Sequence, residues 1–344
     1  MTKVLITGAD GYIGAILGPN LMERGFDVTA IDTGLYRRGW LFEDGRSRPR
    51  VIHRDLRRIE IADLSGYDVV VHLAELSNDP LGENDPSLTM QINYEGSARL
   101  AENCKAAGVS RFIYASSCSI YGAGGSAEKD EESAVDPQTA YAQCKTLVEK
   151  ALRALASKTF TPVILRNATA FGASPRQRFD LVLNNLAGWA WTTKQIRMVS
   201  DGSPWRPLVH IEDICQAIAC SIKAPPQDVA GEAFNVGSDA QNYQVREIAA
   251  IVAAAFPGCD LMMGDLGGDN RSYRVSFGKI HRVMPDFRCQ WDAARGASQL
   301  RSIFKRVGLT EQMFNYSPFT RLAELKYLQG SGQLTPDLYW TEVS

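Results

Sequence analysis

The segment Gly8-Ala9-Asp10-Gly11-Tyr12-Ile13-Gly14 constrains this 344-residue chain more than any other. It follows a short apolar run, Lys3 to Thr7, and opens a stretch from Tyr12 to Arg24 that carries apolar residues at helical spacing and closes on Gly25 as a C-cap. A second β-branched run, Asp27 to Ile31, leads to Asp32, so strand, glycine turn, helix and strand complete one βαβ unit. Glycines at this spacing let the chain turn tightly, let backbone N–H groups approach a pyrophosphate, and let helix pack close to strand, with the helix N-terminus facing the negative charge. Asp32 can accept hydrogen bonds from ribose hydroxyls and would repel a 2′-phosphate, which points to NAD over NADP.

The alternation continues. Runs at Arg50 to His53, Val69 to Leu73, Phe112 to Ser116 and Pro162 to Arg166 read as strands, with helical patterns at Pro86 to Ala107 and Ala140 to Ala156 between them. Strands alternating with helices define an α/β chain with a doubly wound parallel sheet of Rossmann type. The spacing assigns residues 1–170 to the dinucleotide-binding domain. Residues 171–344 form a smaller, interleaved C-terminal lobe and tail, with helices near 180–191, 211–222 and 244–256 and with parts of about 205–240 returning to the first domain. Asp55 and Leu56 after the third strand are placed for the adenine, and Leu73, Ala74 and Glu75 after the fourth line the cofactor. A charged residue at Glu75 is either solvated at a strand end or aimed at the active site.

With 37 basic and 39 acidic residues, no strong field favours nucleic acid or an anionic membrane. Seven scattered cysteines, with no C-x-x-C pair and no metal-ligand spacing, fit reduced thiols in a cytoplasmic protein without a bound metal. No leader and no membrane span are expected from the apolar runs.

Tyr141 and Lys145 lie one helical turn apart, on one face. Oxidising an alcohol requires a base for the hydroxyl proton while hydride leaves carbon. An unperturbed tyrosine, with a pKa of about 10, is too protonated for that role. A neighbouring ammonium lowers it toward working pH. Ser117, on the preceding strand, can hydrogen-bond the same substrate oxygen. Asn78 and Asp79, following Glu75, form a polar cluster suited to sugar hydroxyls.

The loop Thr7 to Gly14, the run Tyr114-Ala115-Ser116-Ser117-Cys118-Ser119-Ile120-Tyr121-Gly122, Tyr141 with Lys145, and Arg206 to Asp213 resemble the extended short-chain dehydrogenase/reductases, specifically their nucleotide-sugar epimerase/dehydratase branch, over roughly residues 1–290. The resemblance implies a catalytic triad of Ser117, Tyr141 and Lys145, a structural or cofactor-adjacent Asn93, a nucleotide-diphosphate-sugar substrate, and a homodimer through the helices near 90–107 and 141–156. It implies that Arg206 meets the substrate diphosphate, an arginine fork being well suited to phosphate, and that Arg271 supplies a second contact. Ser119, Thr169 and Arg178 complete the expected substrate set.

Two departures matter. Family members that dehydrate a nucleotide sugar carry an Asp-Glu pair directly after the catalytic hydroxyl residue, where this chain has Cys118 and Ser119. Dehydration therefore ranks below inversion at C4, by transient oxidation to a 4-keto sugar and return of hydride. Cys118 opens an alternative, C3 or C5 inversion with the thiol as acid and base, against a bland reading as a small buried hydrophobe. A net oxidoreductase and a non-catalytic NAD sensor are the remaining readings. The second departure is Thr169, which stands where many epimerases place an asparagine on the nucleotide diphosphate and which shortens the reach.

Overall fold

The computed structural model describes residues 1–77, 79–123, 127–198, 200–262, 264 and 272–341. Its first unit is β1 (Lys3–Thr7), α1 (Gly14–Glu23) and β2 (Asp27–Asp32), followed by β3 (Arg50–His53) and β4 (Val69–His72). The α1 helix ends in a Schellman turn. Gly25 takes φ +85° and donates its N–H to the Met22 carbonyl, and Phe26 N–H reaches the Leu21 carbonyl.

A π-helical turn, Met90–Gly96, runs into α2 (Ser97–Ala106), and β5 (Arg111–Ser117), α3 (Ala140–Leu155), β6 (Thr161–Asn167) and β7 (Thr169–Phe171) follow. The second half adds α4 (Val182–Thr193), β8 (Trp205–His210), α5 (Ile211–Lys223), β9 (Ala233–Val236), β10 (Asn242–Gln244), α6 (Val245–Ala255), α7 (Ala293–Val307) and α8 (Arg321–Gly330). Among the described residues no helix is long and apolar enough to cross a membrane.

Seven strands form one parallel sheet in the order β9-β6-β5-β4-β1-β2-β3. Its central strands are buried on both faces, as a parallel sheet covered by helices requires. Alternation within β1 shows the two layers. Val4 and Ile6 pack with Ile16 and Leu17 of α1 and Ile214 and Ile218 of α5, whereas Leu5 packs with Leu100 and Cys104 of α2 and Val148 and Leu152 of α3. A second core joins α4, α6 and α7 through Leu183, Leu186, Ile248, Val252, Leu300 and Phe304.

The interleaving expected near 205–240 is divided. Ala233–Val236 pairs with β6 as the edge of the main sheet, while Trp205–His210 joins a three-stranded sheet, parallel to β7 and antiparallel to β10. The strand order reverses beside β1, between β4 and β2, and the crevice outside the carboxyl ends at that switch point is where an open α/β sheet receives a ligand.

Candidate active site and cofactor cradle

The glycine loop closes on the next strand so tightly that side chains are excluded. Gly8 has φ +76°, and a Cβ there would lie 2.7 Å from the Ala74 nitrogen and the Leu73 carbonyl carbon. A Cβ on Gly14 would stand 2.4 Å from the Gly8 oxygen. Backbone thus fills the space that leads to the first turn of α1, a cradle of the kind that admits a pyrophosphate against free N–H groups.

At the end of β2 the Asp32 carboxylate accepts from the backbone N–H of Asp10 (2.9 Å) and of Gly34 (2.7 Å). Burial pushes its pKa up, against the pull of the Gly34 N–H. Gly8, Gly11, Tyr12, Ile13, Gly14, Asp32, Asp55, Leu56, Leu73, Ala74 and Glu75 all line one cleft, together with Arg178. Asp55 caps the turn Leu56–Arg58 and grips Arg57 (2.8 and 2.9 Å).

Two arginines expected in the substrate lobe take different posts. Arg176 forks onto Asp10 of the glycine loop (2.6 Å to each carboxylate oxygen) and donates to the Tyr36, Arg37 and Gly39 carbonyls, tying the loop after β2 to the loop after β1. Arg178 does face the cleft, paired with Asp180 (2.9 Å) and reaching the Ser77 hydroxyl (3.3 Å).

Tyr141 and Lys145 share one face of α3, with the Lys145 nitrogen 5.4 Å from the Tyr141 ring centre. Thr139 caps the helix, its hydroxyl accepting from Ala142 N–H (3.2 Å) and donating to Asp79 (2.5 Å), while Glu83 accepts from Ala140 N–H (2.8 Å). Two carboxylates therefore sit on the positive end of α3. The turn that carries them presses on Tyr141, since a Cβ on Gly82 would lie 3.2 Å from the tyrosine's own Cβ.

Lys145 is buried, donates to the Ala115 carbonyl of β5, and pairs with Glu75 at 2.6 Å. Glu75 is thus aimed inward rather than solvated. It also accepts from the Tyr114 hydroxyl (2.7 Å), and Ser97 bridges it to His72, whose other ring nitrogen meets Thr7 (2.7 Å). Burial, and then Lys145, push His72 down to about 3, so this ring is neutral and serves as a connector.

The Glu75 pair sets the charge balance around the Tyr141 phenol. Burial raises the Tyr141 pKa, Lys145 opposes, and Glu75 and Asp79 push it up again, with Arg178 lowering it. Burial would lower Lys145, but Glu75 and Tyr141 outweigh it and hold the ammonium above its ordinary value. If the ionised phenol is the working base, activity rises with pH through the Tyr141 pKa. Removing the Glu75 charge favours the phenolate, so Glu75→Gln is expected to move the rising limb of kcat/KM toward acid by about one pH unit. A pH–rate profile checks this, and an unmoved limb would show that Glu75 does not act on Tyr141.

The remaining site residues scatter more widely. Ser117 ends β5, and its hydroxyl accepts from Ser119 N–H (3.1 Å). Asn93, on the π-turn, clamps both backbone groups of Leu76 (2.8 and 2.9 Å), which makes it a structural pin for the loop after β4. Cys118 corrects the thiol alternative. It is 1% exposed, lies in the core, donates to the Arg166 carbonyl (3.2 Å), and burial pushes its pKa far up, so a thiolate acid/base at C3 or C5 has neither access nor ionisation.

Ser119 is buried with its hydroxyl unpartnered. Thr169 pairs through its backbone with Leu208, and the Arg206 guanidinium donates to the Trp205 carbonyl (2.8 Å) near Tyr273. Asp79, Ser117, Ser119, Tyr141, Lys145, Thr169 and Arg206 are not among the residues lining the cofactor cleft, which Lys145 reaches through its partner Glu75. Asn78 and Arg271 lie outside the described residues.

Residues 4–237 match the profile of the NAD dependent epimerase/dehydratase family, about two thirds of the chain, and the protein belongs to that family. Its cofactor is NAD, and the glycine cradle with Asp32 fits that dinucleotide.

Among curated relatives, a UDP-glucose 4-epimerase of Mycolicibacterium smegmatis is 28% identical over 266 residues, covering 74% of this chain and 82% of its own length. A UDP-N-acetyl-alpha-D-glucosaminuronate decarboxylase of Bacillus cytotoxicus is 25% identical over 268 residues, covering 72% and 78%. Among solved structures, MoeE5 in complex with UDP-glucuronic acid and NAD superposes with a TM-score of 0.76 at 26% identity, covering 88% of this chain and 99% of that one. The NDP-hexosamine 5,6-dehydratase TunA, at TM-score 0.79 and 22% identity over 89% and 98%, shares the fold. The chain is thus an NAD-dependent nucleotide-sugar enzyme of the epimerase/dehydratase class.

Proposed function

We propose that this protein inverts C4 of a nucleotide-diphosphate sugar. The observation that carries the reading is the acid/base set: a tyrosine–lysine pair on α3, its lysine bonded to the Ala115 carbonyl of the strand that ends at Ser117, with a following loop, Cys118–Tyr121, that offers no carboxylic acid for eliminating water. Gly8, Gly11, Gly14 and Asp32 would hold NAD, which would supply reversible hydride acceptance.

Tyr141 takes the C4 hydroxyl proton at its phenol oxygen and returns it at the end of the cycle. Lys145 holds that oxygen's charge, and Ser117 orients the sugar oxygen by a hydrogen bond. Arg178, which lines the cleft, and Arg206, on β8, would serve the substrate diphosphate, with Asp79, Ser119 and Thr169 toward the sugar. Similarity to UDP-sugar 4-epimerases supports the reading.

UDP-glucose, UDP-glucuronate, UDP-N-acetylglucosamine and dTDP-glucose incubated in D2O and read by NMR test it. The expected product is inverted at C4 and free of solvent deuterium. Deuterium at C3 or C5, or a released keto sugar, would replace C4 inversion by another reaction of the family.

A homodimer through the outward faces of α2 and α3 extends the reading, and light scattering of the purified protein is expected to give twice the 37.8 kDa chain mass. All seven cysteines are free thiols, which supports a reducing, cytoplasmic setting.

A further inference from the structure

The family match ends at residue 237, yet Arg321 and Leu338, from the C-terminal part, line the cofactor cleft. Arg321, the first residue of α8, lines the same cleft as the glycine loop while being only 2% exposed. Its Nη1 donates to the Pro318 carbonyl (3.1 Å), and its guanidinium lies 4.0 Å over the Tyr36 ring. Its Nη2 is buried with no hydrogen-bond partner. The Tyr36 hydroxyl, also on the cleft, is orphaned in the same way.

Nearby carboxylates are committed elsewhere: Asp180 to Arg178, Glu324 to Arg38 and Ser317, Asp10 to Arg176, and Asp32 to two backbone amides. Arg176 and Arg178 add positive charge close by. A guanidinium buried among other guanidiniums, with one edge unsatisfied, is stable only if something anionic completes it.

We infer that Arg321 and Tyr36 form a second clamp on the diphosphate of the dinucleotide, opposite the glycine loop, and that the C-terminal segment closes over the bound cofactor. The segment beyond α8 is fastened to the adenosine side of the cleft in a way that suits this. Trp340 donates its indole N–H to the Thr33 carbonyl (2.7 Å), Tyr339 stacks under Arg57 (3.8 Å), and Leu338 lines the cleft. Leu325, Leu328, Leu334 and Leu338 bury against Leu76 and Leu88, which joins the tail to the loop after β4. The cofactor would then sit between the first and last segments of the chain, which favours retention across turnovers over exchange with the medium.

Arginine's fork suits a diphosphate, and a hydrogen bond to a charged group contributes about 1.5–3 kcal/mol, equivalent to roughly 10- to 100-fold in affinity. The test is calorimetric titration of protein stripped of nucleotide with NAD, ADP, adenosine and UDP, alongside the NAD released on acid denaturation of protein as purified. For Arg321→Gln, NAD and ADP are expected to bind at least about tenfold more weakly, adenosine and UDP within about threefold of wild type, and the co-purified NAD is expected to fall. Arg321→Lys is expected to recover part of the loss, and Tyr36→Phe to show a smaller loss with the same ligand pattern.

The two milder variants carry the test if Arg321→Gln does not fold. Unchanged NAD and ADP affinity would overturn the inference. So would a loss shared equally by adenosine, which would mean that Arg321 only supports the fold, or a loss confined to UDP, which would assign it to the substrate's diphosphate.

Discussion

Tyr141→Phe is expected to lower kcat by about 10^3-fold while NAD binding and the unfolding midpoint stay near wild type. The phenol sits on α3 within reach of the Lys145 ammonium, and burial raises its pKa, so without Lys145 it would be a poor base at neutral pH. Phenylalanine keeps the Cβ that faces Gly82 and deletes only the phenol oxygen. Because the loss is confined to the chemical step, kcat and kcat/KM should fall together with KM little changed. Steady-state kinetics with co-purified NAD quantified in the same preparation check this. Near-normal turnover would remove Tyr141 from the mechanism.

Gly8→Ala is expected to destabilise the protein by about 2–5 kcal/mol and to strip it of NAD. The added methyl meets two strains at once. A left-handed backbone costs an L-residue about 1–2 kcal/mol, and overpacking against rigid backbone adds about 1–3 kcal/mol. Here the obstruction is the backbone of Leu73 and Ala74, which cannot rotate away as a side chain would.

Gly25→Ala is the matched control. Gly25 has φ +85°, but nothing stands within 4 Å of its would-be Cβ, so only the conformational part, about 1 kcal/mol, should appear. Urea unfolding of both variants separates the two contributions. Equal losses would mean that the β1–β4 contact does not constrain Gly8.

These two variants probe features that were open to sequence reasoning because each is local. The glycine spacing, the β-branched run before Asp32, and Tyr141 one turn from Lys145 each declare themselves within a few residues, as do the strand runs that became β1 to β6. What stayed hidden depends on long-range placement.

Glu75 reads as a strand-end charge that could face either way. Only the packing of α3 on β5 and β6 brings Lys145 to it. Cys118 follows Ser117 directly, and one step of backbone at the end of β5 sends its thiol into the core, a choice of side that composition does not encode. Arg176 reads as part of the second lobe, yet it reaches back across the chain to Asp10. Arg321 and Leu338 lie about 300 residues from the glycine loop they face, and no periodicity links segments so far apart. Leu322, Leu325 and Leu328 along α8 and the pair Tyr339-Trp340 are the local signals of a segment folding back onto the body.

The division has a physical consequence for the enzyme. The local features build a cradle that many dehydrogenases share, whereas the long-range contacts adjust it: Glu75 sets the charge around Lys145 and Tyr141, and Asp10–Arg176 fixes the two loops that meet the dinucleotide. In the proposed cycle, the absence of acidic residues from the Cys118–Tyr121 loop would limit what can follow oxidation at C4.

The most direct measurement follows a deuterium placed at C4 of UDP-glucose, or of whichever sugar nucleotide turns over best, through a single incubation in ordinary water. Transient oxidation with return to the same carbon should give a C4-inverted product that still carries the label at C4. Label found at C6, or lost from the sugar with a keto product released, would contradict C4 inversion.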